Sequence, residues 1–172
     1  IFSMANLIES RDGTTGEHVK RTTIYAGYLM DKMLESGVYT KDLTSTFVDY
    51  MKKAAPLHDI GKITVPDRIL QKTGKLDFDE YEIMKKHAAA GGKLIKENMT
   101  RIVDREFVDM AEMLAAHHHE KWNGGGYPDG LKGEDIPLCA RILAIVDVFD
   151  ALVSKRQYKE GMSFEKAYDI MK

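Results

Sequence analysis

AEMLAAHHHEKWNGGGYPDG, residues 111–130, leads from an apolar helical repeat through three consecutive histidines into a glycine-rich loop. Leu114 stands three and four residues before His117 and His118, so helical spacing favours these two imidazoles as inward residues. The five glycines and two prolines in residues 123–137 exclude a helix there. Imidazoles are common ligands of zinc, manganese and iron. The segment therefore predicts metal ligands beside a loop that can approach a bound molecule closely.

The rest of the chain shows helical periodicity almost throughout, and no stretch alternates long enough to predict a strand. Helices are predicted from near Glu17 to near Gly37, from about Asp42 to just before Gly61, from about Asp79, from about Arg101 to the histidine triplet, from Leu138 to Val153, and from a cap at Ser163. A loop is predicted around Pro66 and Gly74. The fold class is therefore expected to be all-α.

Composition predicts a single domain, because 172 residues with 44% apolar content can build one continuous core. A net charge of -2 with interspersed signs gives no broad surface for a nucleic acid polymer. The longest apolar run, 142–146, is far too short to span a membrane. One cysteine, Cys139, suits a reducing compartment, so a cytoplasmic location is expected. We expect residues 1–172 to be one domain of a longer protein with an N-terminal sensory or receiver domain.

Asp147 is the strongest local anomaly, because it lies within the most apolar helical segment, 142–149. A buried carboxylate costs several kcal/mol unless it is paired or binds a metal. Arg141, six residues earlier, is the nearest basic residue before it on the segment, so the partner of Asp147 must come from elsewhere in the fold. A metal ion is a good candidate.

Histidines on other helical segments support the same interpretation. A lone histidine on an apolar face is more often an ordinary core residue, but here several segments each deliver one. The candidate ligands are His18, His58, Asp59, His87, His118, His119 and Asp147. Seven ligands exceed one tetrahedral ion and suit two ions that share a carboxylate, for which Asp59 is the natural choice. Such a pair clamps both oxygens of an in-line displacement at phosphorus, so hydrolysis of a phosphoester is predicted.

The histidine triplet leaves one alternative open. Helical spacing from Leu114 favours His117 and His118, whereas a helix that frays at this point presents His118 and His119 instead. Spacing alone does not decide between them.

These motifs together resemble the HD-GYP family, a subset of the HD-domain metal-dependent phosphohydrolases that cleaves the bacterial second messenger cyclic di-GMP. The matching segments are Arg11-Asp12-x-x-Thr15-Gly16-x-His18, His58-Asp59-Ile60-Gly61-Lys62, Val65-Pro66-Asp67, His87-x-x-x-Gly91, His118-His119-Glu120-x-x-Asn123-Gly124-x-Gly126-Tyr127-Pro128, Gly130-Leu131-Lys132-Gly133-x-x-Ile136-Pro137 and Asp147-Val148-Phe149-Asp150-Ala151-Leu152. An isolated His-Asp pair is a weak signal, but this ordered set covers nearly the whole chain. The resemblance implies an HD-domain helical bundle with a glycine-rich GYP loop.

The resemblance also implies a site and a reaction. It assigns His18, His58, Asp59, His87, His118, His119 and Asp147 as metal ligands, with His117 excluded. The implied cofactors are two divalent ions, iron or manganese, and the implied reaction is hydrolysis of cyclic di-GMP to linear pGpG, with GMP as a further product. Asp59 and Lys62 are the expected catalytic residues. Substrate contacts are expected from Lys62, Tyr127, Arg156 and Lys159, and Glu120 is expected to support a ligand histidine.

Three departures from the family pattern accompany the match. Thr14 stands where some members have a glutamate that binds a third metal, which favours a binuclear site. Asn123 replaces the usual aspartate, and Ala88 replaces the proline after the third histidine. Two rival functions are a phosphodiesterase for another cyclic dinucleotide or nucleotide, and a catalytically weak domain that binds a partner such as a diguanylate cyclase domain.

Overall fold

A computed structural model describes residues 2–12, 17–154 and 161–172, and its described part contains eight α-helices and no strand. The helices are α1 (Phe2–Glu9), α2 (Glu17–Glu35), α3 (Ser45–Ala54), α4 (Asp67–Leu70), α5 (Phe78–Asn98), α6 (Arg105–His117), α7 (Leu138–Val153) and α8 (Phe164–Met171). Short 3-10 helices cover Ser10–Asp12, Ala55–Leu57, Ile60–Thr64 and Gly133–Asp135. The all-α prediction is confirmed.

The second predicted helix is wrong at its C-terminal end. It was expected to continue to just before Gly61, but α3 ends at Ala54 and a 3-10 helix with Pro56 near its start follows. Proline lacks an amide hydrogen and clashes with the preceding turn, so it cannot sit inside an α-helix without disrupting it. His58 and Asp59 therefore lie on a tight turn between two 3-10 helices.

Other boundaries follow from side-chain caps. The side chain of Asp104 accepts a hydrogen bond from the amide of Phe107, so α6 begins at Arg105 rather than near Arg101. Asp77 and Glu80 form a reciprocal capping box at the start of α5. Ser163 caps α8 as predicted. The four-residue helix α4 lies within the predicted loop.

The main core lies among α2, α3, α6 and α7, where Met30, Met51, Leu114 and Leu143 are fully buried. α5 packs along α6 and against the 3-10 helix Ile60–Thr64. Within the described residues, no helix is long and apolar enough to cross a membrane. The helices are thus packed so that the His58-Asp59 turn lies close to the middle of α5, where His87 is located.

Gly61 makes this close approach possible. A Cβ built on Gly61 would lie 1.9 Å from the carbonyl oxygen of His87 and 2.5 Å from the amide nitrogen of Gly91. Both are backbone atoms of α5, which cannot move aside as a flexible side chain can. Only a residue without a side chain brings the His58-Asp59 turn this close to His87.

Candidate metal centre

Asp59 is the point on which the predicted ligands converge. Its Oδ1 lies 3.3 Å from His87 Nε2 and 3.7 Å from His118 Nε2. Its Oδ2 lies 3.2 Å from His58 Nε2. The two oxygens of one carboxylate therefore face histidines from three different parts of the chain.

Three histidines are held in the orientation that a metal requires. The Nδ1 atoms of His58 and His87 donate to the carbonyl oxygens of Ala55 at 2.9 Å and Met84 at 2.7 Å, respectively. Nδ1 of His118 likewise faces the carbonyl oxygen of Ala115 at 3.0 Å. A proton on Nδ1 leaves the lone pair on Nε2, the tautomer in which imidazole binds a metal through Nε2.

The first half of the centre contains His18, His58 and Asp59, whose ligand atoms all lie within 4.8 Å of one another. Asp147 joins it, because its Oδ1 lies 3.3 Å from His18 Nε2. The partner that the Asp147 carboxylate required is thus His18 on α2, near the other end of the sequence. Burial raises the pKa of Asp147, but its hydrogen bond to His18 and the charges of His58 and His18 together outweigh burial and hold the pKa below its ordinary value.

Asp150 and Arg21 support this half and were not among the predicted site residues. His18 Nδ1 donates to Asp150 Oδ2 at 2.8 Å, which orients its ring, and Arg21 Nε donates to Asp150 Oδ1 at 2.5 Å. Burial lowers the pKa of His18, but its bonds to Asp147 and Asp150 outweigh burial and raise the pKa to about 10 in the absence of a metal. A metal ion bound at Nε2 would take the place of that proton. The available signal was spacing: Asp150 follows Asp147 by three residues, and Arg21 follows His18 by three, which places each pair on one helical face.

The second half contains Asp59, His87, His118 and His119, again with ligand atoms within 4.8 Å of one another. Burial lowers the pKa of His119 to about 2, with the neighbouring His118 adding to the effect. His119 is thus neutral at any physiological pH, as a metal ligand must be. His117 belongs to neither half, so the structure places His118 and His119, rather than His117 and His118, beside Asp59.

Lys62 contacts the shared carboxylate directly, with its Nζ 2.7 Å from Asp59 Oδ2. Burial opposes ionisation of Asp59, but Lys62 and His58 outweigh it and keep the pKa of Asp59 well below its ordinary range. The carboxylate at the centre is therefore negatively charged, and it lies beside an ammonium group that is largely withdrawn from solvent.

The donor set fits a pair of divalent cations. Nε2 of His58, His87 and His118 is buried, and none of these atoms forms a hydrogen bond to another described residue. Buried nitrogen atoms of this kind cost free energy unless something satisfies them. Two groups of nitrogen and oxygen donors share Asp59, as in a binuclear site with a bridging carboxylate.

The glycine-rich loop closes over the second half of the centre. The Tyr127 ring packs on His119 with 4.8 Å between ring centroids, and its amide donates to the carbonyl oxygen of His119. A Cβ on Gly126 would lie 2.4 Å from Cα of Glu120, so this position also requires glycine. Asn123 Oδ1 accepts a hydrogen bond from the amide of Gly125 at 2.9 Å, within the loop.

Glu120 differs from its expected role. Its Oε1 accepts hydrogen bonds from the amides of Asp129 and Gly130, at 2.8 and 3.1 Å. The histidine it faces is His117, at 4.0 Å from Nδ1, which is not one of the predicted ligands. Glu120 therefore stabilises the glycine loop by accepting hydrogen bonds from two backbone amides, instead of orienting a ligand histidine.

Arg11 connects the first motif to the His58-Asp59 turn. Its guanidinium donates to the carbonyl oxygens of Ile63 and Val65 and pairs with Asp67 at 2.6 Å. The remaining predictions of substrate contacts, Arg156 and Lys159, lie outside the described residues, as does Thr14.

Comparison with known proteins agrees with this architecture. The family described as HD domain matches residues 3–172. A probable cyclic di-GMP phosphodiesterase of Vibrio cholerae is 46% identical over 99% of this chain and 39% of its own length. A 3'3'-cGAMP-specific phosphodiesterase of the same organism is 42% identical over 96% of this chain and 29% of its own length. A cyclic di-GMP phosphodiesterase of Thermotoga maritima is 40% identical over 98% of this chain and 42% of its own length.

The chain spans less than half the length of each of these three relatives. Its described part nevertheless holds the His58-Asp59 pair, the later histidine pair His118-His119 and the Gly126-Tyr127-Pro128 turn around one centre. Members of this family depend on metal for phosphohydrolysis, which agrees with the clusters of histidine and carboxylate. The chain therefore belongs to the HD-domain family, in its HD-GYP branch.

Proposed function

We propose that this chain is a metal-dependent phosphodiesterase that hydrolyses cyclic di-GMP to linear pGpG, with GMP as a further product. The observation that carries the proposal is the shared carboxylate: two groups of ligand atoms, each within 4.8 Å, have Asp59 in common. The proposed ligands are His18, His58, Asp59 and Asp147 for one ion, and Asp59, His87, His118 and His119 for the other. Iron and manganese suit this mixture of imidazole and carboxylate.

A pair of divalent ions supplies Lewis acidity for the phosphate oxygens and a water activated at neutral pH. The residues of the chain would hold these ions and orient the groups around them. Asp59, which is ionised and contacts Lys62, would hold both ions. Asp150 and the backbone carbonyl oxygens hold the histidine rings so that only Nε2 faces the centre.

The substrate is proposed to enter on the side of Tyr127 and Lys62. Lys62 Nζ lies at the shared carboxylate, where it can neutralise charge that develops on a phosphate oxygen. Tyr127 offers an aromatic wall beside His119, suited to packing against a base or ribose. Arg156 and Lys159 are proposed to contact a second phosphate or a guanine, because arginine presents a planar fork of donors that fits both.

Turnover by protein purified anaerobically and loaded with iron or manganese tests the proposal. Cyclic di-GMP should be converted to pGpG, and chelation should abolish the conversion. Asp59→Asn preserves the size of the side chain but removes the charge, so it should lose both turnover and metal. Metal-loaded protein that leaves cyclic di-GMP intact while cleaving another substrate would contradict the assignment.

A second candidate substrate is 3'3'-cGAMP, because one relative at 42% identity is named for that specificity. Metal ligands do not distinguish the base, so the same centre serves both. The ratio of kcat/KM for the two cyclic dinucleotides, measured on one preparation, decides which is preferred.

A further inference from the structure

A second group of potential ligands lies behind the glycine loop, outside the binuclear centre. It consists of His117 at the end of α6, Glu120 three residues later, and Asp129 within the loop. His117 Nδ1 lies 3.6 Å from Asp129 Oδ2 and 4.0 Å from Glu120 Oε1. We name these three residues the loop cluster.

Two polar atoms of the loop cluster are buried without a hydrogen bond to another described residue. They are His117 Nδ1 and Glu120 Oε2. The Glu120 side chain has no exposed surface, and its other oxygen is already occupied by two loop amides. An unsatisfied carboxylate oxygen at a buried position costs free energy unless a cation or donor reaches it.

A direct ion pair within the loop cluster does not meet this need. The distances from His117 Nδ1 to both carboxylates are longer than the 2.7–2.9 Å range of a charge-assisted hydrogen bond. A tetrahedral cation with bonds of about 2.0–2.2 Å holds its ligand atoms about 3.3–3.6 Å apart. The 3.6 Å separation of His117 Nδ1 from Asp129 Oδ2 therefore fits such an ion, and a carboxylate oxygen of Glu120 lies within 4.8 Å of the ligand atoms of both residues.

We propose that the loop cluster is a third metal site, which binds a zinc-type divalent cation and fastens the glycine loop to the end of α6. One imidazole nitrogen with two carboxylates matches the ligand preference of zinc, whereas calcium requires six to eight oxygen atoms. Water completes the coordination, because the Asp129 side chain is 59% exposed. This exposure makes the site weaker than the buried binuclear centre.

The function of this ion is to hold the position of the loop residues that cover the binuclear centre. Asp129 follows Pro128 and Tyr127 directly, and Tyr127 packs on His119. A cation bound between Asp129 and His117 would therefore fix both ends of the short segment that carries Tyr127.

Zinc binding to the full chain tests this proposal, with zinc chloride as the probe and equilibrium dialysis as the measurement. Asp129→Asn is the informative variant, because the side chain is largely exposed and its replacement should not disturb folding. Asp135→Asn is its matched control, because Asp135 is an exposed carboxylate on the same loop but lies outside the loop cluster. Wild-type protein and Asp135→Asn should bind one more zinc ion per chain than Asp129→Asn, or bind it at least tenfold more tightly.

His117→Gln should lose the same zinc ion while it keeps the iron or manganese of the binuclear centre. A crystal of zinc-treated protein should show an anomalous peak about 2.0–2.1 Å from His117 Nδ1. Equal zinc binding by wild type and Asp129→Asn would overturn the proposal, and the loop cluster would then be an ordinary polar contact. Because these measurements count metal and need no substrate, they are independent of whether cyclic di-GMP is hydrolysed.

Discussion

Gly61→Ala should damage the metal centre, although residue 61 is not itself a predicted ligand. The added Cβ would lie 1.9 Å from the carbonyl oxygen of His87, whereas real Cβ contacts are essentially never under 3.0 Å. The His58-Asp59 turn and α5 must therefore separate by about 1.1 Å. Metal–ligand distances tolerate only about 0.2 Å, so His87 and Asp59 can no longer hold the same ion in this geometry.

The expected loss of stability is modest compared with the loss of metal. Overpacking typically costs about 1–3 kcal/mol, and 1 kcal/mol lowers Tm by roughly 2–4 °C for a domain of this size. Metal-free Gly61→Ala should thus melt roughly 2–12 °C below the wild type. Elemental analysis should find at least one metal ion fewer per chain, and phosphodiesterase activity should fall with it.

Gly74→Ala is the matched control, because a Cβ at Gly74 meets no atom within 4 Å. It should retain the metal content and stability of the wild type. Gly61→Ala protein with full metal content and an unchanged Tm would refute the reasoning, because it would show that α5 and the turn can separate without cost.

Three further predictions concern the metal ligands, the substrate contacts and a helix cap. Protein purified anaerobically should contain two ions of iron plus manganese per chain; Asp59→Ala should lose at least one of them, whereas His117→Ala should retain both. An iron-plus-manganese content below one, or one close to three that Asp129→Asn does not reduce, would contradict the binuclear site. A loss in His117→Ala equal to that in His118→Ala would favour the rival assignment of the triplet. Arg156→Ala removes a charge-assisted contact that is typically worth about 1.5–3 kcal/mol, so turnover of cyclic di-GMP should fall by roughly ten- to more than a hundredfold. Turnover of a small generic phosphodiester should stay nearly unchanged, and equal loss with both substrates would defeat the assigned role. Asp104→Ala removes the N-cap of α6 and should lower the free energy of unfolding by about 1 kcal/mol. Asp104→Asn is the control, because asparagine can keep the cap. Equal chemical-denaturation curves for the two variants would argue against a stabilising cap.

The sequence alone was sufficient to predict the fold class and to name the histidines and carboxylates that the fold brings together. Helical periodicity reflects local packing needs, so it predicted the all-α fold, and Asp147 was recognised because a carboxylate in an apolar helix demands a partner. The ordered motifs then identified the family. These properties depend on residue type and local spacing, which a sequence states directly.

Only the tertiary structure decided which atoms meet. Spacing left the histidine triplet open, and it is the end of α6 that turns His118 and His119 toward Asp59 and leaves His117 with Glu120. Asp150 became a support for His18 only through the packing of α7 on α2. The contact between His18 and Asp150 joins residues 132 positions apart, and no local propensity encodes it.

Gly61 is the clearest example of a requirement that only the tertiary structure sets. Glycine is required there because the backbone of α5 leaves no room for a Cβ, and not because of the φ angle of residue 61. In the sequence it is one glycine after a predicted helix end, which suggests only a turn. In the fold it sets how closely the Asp59 carboxylate can approach His87. The sequence thus named the candidate metal ligands, whereas the packing of distant helices brought them around one carboxylate. The reason is that distances between ligand atoms are defined only in the assembled bundle.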